Sequence, residues 1–147
     1  MIIRNSARAV IIVNNKLLVT KMNNRGIFYL LPGGGQNTGE ILTETLEREC
    51  EEELQYQVKV NELLFVRESF DDDETQRVEF IFQCTLVNKV ENYAPVFDAM
   101  QCGIEWLNID ELSLLPLYPE EIRCQIQQFY KKKQIKTYHG TKDIQFR

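Results

Sequence analysis

The chain has 147 residues, 44% hydrophobic and 27% charged, with a formal net charge of −5. That length suits one domain, residues 1–147, with a sizeable core, and the acidic balance argues against holding a nucleic-acid polymer through its phosphates. Cys50, Cys84, Cys102 and Cys124 are scattered without a CxxC pair and His139 is the lone histidine, which argues against a zinc site, a disulfide framework and a Ser-His-Asp triad.

The N-terminal run MIIRNSARAVIIV is short, is broken by Arg4, Asn5 and Arg8, and has no small-residue cleavage site after an apolar run. It reads as a strand, centred on Ala7 to Val13, and not as a leader. No apolar run reaches transmembrane length, so a soluble, cytoplasmic protein without membrane contact is expected. Asn14-Asn15 is a turn signal and Lys16 to Lys21 a second strand, which together predict a β-hairpin. Asn23 to Gly26 is a loop, and Ile27 to Leu31 a third strand running into Pro32. After a glutamate-rich helix, Gln57 to Ser69 reads as a strand broken early at Asn61. The acidic run Asp71 to Glu74 reads as a solvated hairpin loop. Arg77 to Val87 alternates as a strand with one face buried. Asn88 to Pro95 is a loop, Gly103 to Leu107 a short strand, and Ile109 to Leu115 a short helical turn. Pro119 opens a second helix through about Lys133, whose three closing lysines oppose the macrodipole. The tail from Gln134 is polar and carries no element signal. The order of elements predicts a mixed α/β (α+β) fold with helices packed on a largely mixed sheet.

The stretch that carries chemistry is PGGGQNTGEILTETLERECEEELQY, Pro32 to Tyr56. At about 100° per residue, Leu42, Leu46 and Cys50 share one side of the helix, while Glu40, Glu44, Glu47 and Glu51 share the other. Solvation accounts for the second set. Glu49 and Glu53 instead project with the leucines, and Glu52 lies on their flank beside Thr45. Carboxylates turned toward the protein body are costly unless paired or bound to metal, and each raises the others' cost. The i, i+3, i+4 spacing lets all three converge, and oxygen ligands of this kind suit Mg²⁺ or Mn²⁺. Gly33, Gly34 and Gly35 let backbone come close to an anionic ligand at the helix start.

These residues resemble the Nudix box, G-x5-E-x7-R-E-U-x-E-E-x-G-U, with Gly34, Glu40, Arg48, Glu49, Glu52 and Glu53 in register. Gln55 stands where the family has glycine, Tyr56 where it has an aliphatic residue, and Cys50 replaces a larger aliphatic one. The Tyr29-to-Gly35 lead-in and Glu105-Trp106-Leu107 are also similar to the family. The resemblance implies an α/β/α sandwich around a mixed sheet, and hydrolysis of a nucleoside diphosphate linked to another group, with water attacking phosphorus. It implies that Glu49, Glu52 and Glu53, with a backbone carbonyl of the glycine run (Gly34), hold the metal. Arg48 would pair with Glu40, Gly33 to Gly35 and Tyr29 would meet substrate, and one helix glutamate or Glu105 would be the base.

A fold-retaining binding module without turnover is the alternative, and retention of every box glutamate favours the enzyme. An isomerase on the same fold would need further groups that no His/Cys set supplies. No proline lies between Tyr56 and Ala94, which removes the downstream proline associated with ADP-ribose hydrolases. A nucleoside triphosphate and a nucleotide sugar both stay open as substrate. Phe28, Tyr29, Phe70, Tyr93 and Phe97 are candidates to stack a base, though core packing accounts for most of them. The oligomeric state is not readable, and a homodimer stays open.

Overall fold

The computed structural model describes residues 1–91 and 100–144. Tyr93, Phe97 and the later part of the expected 88–95 loop lie outside the described residues. The elements in order are β1 (Ile2–Val10), β2 (Ile12–Val13), β3 (Lys16–Asn23), β4 (Ile27–Leu30), β5 (Gly33–Gly35), α1 (Leu42–Leu54), β6 (Tyr56–Phe70), β7 (Thr75–Lys89), β8 (Gln101–Asn108), a 3₁₀ turn (Ile109–Leu114), β9 (Leu117–Tyr118), α2 (Glu120–Tyr130) and β10 (Tyr138–Ile144).

The strands form two mixed sheets where the sequence suggested one. The first has the order β10-β6-β7-β1-β5, with β1 parallel to β7, β10 parallel to β6, and the other pairs antiparallel. In the second, β3 pairs with β8 along its length and with β2 and β4 over its two halves, and β9 runs parallel to β4. The Asn14-Asn15 hairpin forms as expected, with both residues at positive φ, 52° and 64°. That is the conformation a tight two-residue connection demands and asparagine tolerates.

The sheets are covered on both sides. Ala7, Ala9 and Ile11 pack with Leu46, Cys50 and Leu54 of α1. Val10, Phe65 and Ile81 pack with Ile122 and Ile126 of α2 and with Ile109 and Leu112 of the 3₁₀ turn. Complete burial of each such aliphatic side chain is worth about 1.5–3 kcal/mol, so α1 is fixed to the sheet by its leucine stripe. The helix–sheet–helix layering follows from β1 being buried on both faces, Ala7 and Ala9 toward α1 and Ser6, Arg8 and Val10 on the other side.

Several expectations are corrected. β6 runs through Asn61 without a break, because register shifts between Val60 and Phe65 absorb the irregularity as bulges. The glycine run does not sit at the helix start: Gly33–Gly35 form a strand that pairs with Arg8, Ala7 and Ser6, and α1 begins only at Leu42. The polar tail contains β10, which docks on β6 through backbone pairing and needs no apolar alternation. The helix expected to reach Lys133 ends at Tyr130. All four thiols are free, Cys50 and Cys84 buried and Cys102 and Cys124 exposed. Among the described residues, no helix is long and apolar enough to cross a membrane.

Candidate active site

The approach to α1 is built around one carboxylate. Glu40 Oε1 accepts from Asn37 N–H at 2.9 Å and from the Thr45 hydroxyl at 3.0 Å. The Arg48 fork closes on it with Nε to Oε2 at 2.7 Å and Nη2 to Oε1 at 3.1 Å, a bidentate pair. The Arg48 hydrogen bond, with that from Asn37, holds the Glu40 carboxyl down at about 2. Arg48 itself is pushed up, chiefly by its bond to Glu40. One turn into the helix, Glu44 reaches back to the Ile41 N–H at 3.0 Å and satisfies a donor that Ile41 cannot. The paired Glu40 and Arg48 therefore fix how the loop enters the helix.

Arg48 also reaches inward. Its Nη2 donates to Gly35 O at 3.2 Å, and its Nη1 lies 2.9 Å from Glu49 Oε1 and 3.6 Å from Glu52 Oε2. Glu49 lies so close to the glycine strand that a Cβ on Gly34 would sit 2.6–2.8 Å from its carboxyl atoms. Glu53 is 5% exposed, and its Oε1 accepts the Gly33 N–H at 3.1 Å. Burial, with the hydrogen bond that protonated Glu53 donates to Glu49, pushes Glu53 well above the usual carboxylate range against the pull of Arg8 and the Gly33 N–H. Glu44 and Glu47 are exposed. The solvated side of the wheel is thus borne out for these two, whereas Glu40 is drawn into the pair with Arg48 and Glu51 is half-buried like Glu49 and Glu52.

The donor set fits a hard divalent cation: carboxylate oxygens beside a backbone stripped of side chains, where the Glu49 carboxyl takes the place a Cβ on Gly34 would need. Among the described residues no three acidic, thiol or imidazole groups already stand together as a closed cage. Arg48 Nη1 lies against both Glu49 and Glu52.

The NUDIX domain profile matches residues 3–129. The chain belongs to the NUDIX family. Its fold is similar to that of a NUDIX hydrolase from Nitrosomonas europaea, at 20% identity and a TM-score of 0.74 over 90% of this chain and 91% of that one. It is likewise similar to a UDP-X diphosphatase (23%, TM-score 0.75, 94% and 68% covered) and to the MutT protein from Bacillus halodurans (18%, TM-score 0.66, 95% and 90% covered). At these identities the likeness is one of fold. No curated protein matches the chain. NUDIX proteins are typically pyrophosphohydrolases that use divalent metal and take nucleotide-like small molecules.

The remaining expected residues are more dispersed. Tyr29 is on β4 opposite Lys21, packed against the α2-side core. Glu105 is on β8 in the second sheet, opposite Val19, and its Oε1 accepts the Trp106 N–H at 3.2 Å. Among the described residues, no hydrogen bond or ion pair joins it to the helix glutamates.

Sequence reading missed a buried charge network on the sheet face opposite α1. Glu79 Oε2 accepts from Arg8 Nε at 3.1 Å, and Glu79 Oε1 from Arg67 Nη1 at 2.8 Å. Arg67 Nε continues to Glu121 at the start of α2, at 3.0 Å. Arg77 closes bidentately on Asp71. Arg8, Arg67, Ser69, Arg77, Tyr118 and Pro119 are among the residues lining a cavity of about 30 Å³, too small for a nucleobase. The available signal was a charge at an inward position of each strand, Arg8 in ARAV and Glu79 in RVEFIF.

Proposed function

We propose that this chain hydrolyses the pyrophosphate bond of a nucleoside diphosphate linked to another group, with Mg²⁺ as cofactor and Mn²⁺ as a substitute. The observation that carries the reading is Glu49 and Glu53 against the glycine strand, with Glu52 beside Arg48 on the same helix and Arg48 braced by Glu40. Glu49, Glu52, Glu53 and the Gly34 carbonyl would hold the metal, which when bound supplies Lewis acidity and charge neutralisation at the phosphate oxygens. Gly33 to Gly35 would meet a phosphate in this reading, Gly35 being the half-buried end of that strand, with Tyr29 in the same lead-in. Arg48 keeps the carboxylates oriented. Water adds to one phosphorus as the bridging P–O bond breaks. The water proton passes to a carboxylate oxygen, of a helix glutamate or of Glu105. Residues 1–147 act as one domain in this reading, within the cytoplasm.

Similar folds bear names as different as UDP-X diphosphatase, MutT and ADP-ribose pyrophosphatase, so they favour no single substrate. A panel of nucleoside triphosphates and nucleotide sugars, scored by which product keeps the nucleotide, addresses that choice. With the preferred substrate, Glu52→Gln and Glu53→Gln should each lower kcat by roughly 100-fold or more. Rates equal to wild type in both would sink the reading. Glu105→Gln distinguishes the bases: an equal loss there places the proton acceptor outside the helix.

A further inference from the structure

We propose that Arg8 is a positioning residue for the metal site, acting through the backbone of the glycine strand. The inference rests on the metal reading given above. Arg8 is on β1, where its Cα opposes Gly33 of β5 on one side and Ile81 of β7 on the other. Its side chain lies with Ser6 and Val10 on the sheet face away from α1, so it touches none of the box glutamates through a described hydrogen bond.

What it holds is the strand. Arg8 Nη1 donates to both Leu31 O and Gly33 O, each at 3.1 Å, while Nε is held by Glu79 at 3.1 Å. Those two carbonyls bracket Pro32, whose own carbonyl accepts the Ala9 N–H at 2.8 Å. The next link is Gly33 itself. Its carbonyl faces Arg8, and its N–H donates to Glu53 Oε1 at 3.1 Å on the α1 side. Gly33 thus passes a restraint from one sheet face to the other. The restraint must run through backbone, because φ is +139° and a Cβ there would lie 2.0 Å from Ala7 O. Gly34, against which the Glu49 carboxyl lies, is the following residue of the same strand.

A buried Arg–Glu pair is not an economical way to fill a sheet face, since apolar residues of similar volume stabilise as well or better. Val10, Ile81 and Leu31 already line this region. The guanidinium fork supplies what apolar residues cannot: two fixed donors to two carbonyls while a third group is gripped by a carboxylate. Groups that orient metal ligands from behind in this way are worth about 10–100-fold in metal affinity or activity.

The test is Mn²⁺ binding to the full chain, followed by calorimetry, alongside kcat and KM on the preferred substrate. Arg8→Lys keeps the charge and removes the fork. It should weaken Mn²⁺ binding about 10-fold or more and lower kcat with a smaller change in KM. Arg77→Lys, a buried arginine of the same sheet face whose partner is Asp71, is the matched control and should leave Mn²⁺ affinity within about twofold of wild type. Wild-type affinity in Arg8→Lys, or equal weakening in Arg77→Lys, overturns the proposal. If Arg8→Lys does not fold, Glu79→Gln decides, since it keeps the shape of the network and loosens the grip on Nε. A fall of roughly threefold or more is expected there, and an unchanged affinity overturns the proposal. Glu52→Gln separates the two levels. If it too binds Mn²⁺ as wild type does, the metal reading fails and takes this inference with it. If it alone loses affinity, only the role of Arg8 fails.

Discussion

Adjacent glycines in this chain have opposite reasons for being glycine. Gly33 is held by backbone: its positive φ and the Ala7 carbonyl leave no place for a side chain. Gly34 is held by chemistry, since the atoms in its way are the far end of Glu49. Gly33→Ala should therefore cost about 3 kcal/mol or more of folding stability. Gly34→Ala should cost about 1 kcal/mol, because Glu49 can swing aside, and yet weaken Mn²⁺ binding about 10-fold. Urea denaturation and a Mn²⁺ titration on both variants check the contrast. Glu40 gives a second residue-scale expectation. Its carboxyl sits at about 2 in the folded chain against a usual 4.5, so the unfolded chain binds that proton more tightly. The stabilisation it contributes is complete above about pH 4.5 and is lost as pH falls toward 2. Amide exchange at Asn37 and Ile41 should rise over that window, and Glu40→Gln should remove the acid-dependent part. At this scale the family resemblance was informative where helical spacing was not: it implied that Glu40 meets Arg48, as it does, while the wheel set Glu40 among the solvated glutamates.

Among elements, α1 was the most legible because one helix period sets Leu46, Cys50, Glu53 and Leu54 inward and Glu44 and Glu47 outward. Gln55 is the instructive exception. The helix ends with that residue in the left-handed region, φ 60° and ψ 34°, and its N–H returns to Glu51 O at 3.0 Å. The termination that glycine makes elsewhere in the family is thus kept, with glutamine carrying the steric cost. Gln55→Gly should raise stability by about 0.5–1 kcal/mol, read as a higher urea midpoint with an unchanged slope. The β10 strand was illegible for the converse reason. Its side chains are mostly exposed, and its existence depends on backbone groups of β6 that no local pattern reports.

Across the whole molecule, what escaped sequence reading is what depends on register between distant strands. Arg8, Arg67 and Glu79 come together only because β1 runs parallel to β7 while β6 runs antiparallel to it, with Ser6 opposite Glu79 and Arg67 opposite Glu79. No spacing in the chain encodes that meeting. The mixed α/β character, by contrast, was available from the order of elements alone, although the division into two sheets was not.

The distribution of sulfur offers a practical handle. Cys50 and Cys84 sit in the core beneath α1, and burial pushes both thiols up, Cys84 to about 12. Cys102 and Cys124 are on the surface. A maleimide reagent should therefore modify two sulfurs quickly in the native protein and four after denaturation. Mass spectrometry of partly labelled samples would then count how often α1 lifts from its sheet, molecule by molecule, and fast labelling at all four positions without denaturant would contradict this packing. Because Cys50 lies between Glu49 and Glu51, the same labelling rate with and without divalent cation would serve as a clock for how firmly a bound ion closes the helix onto the glycine strand.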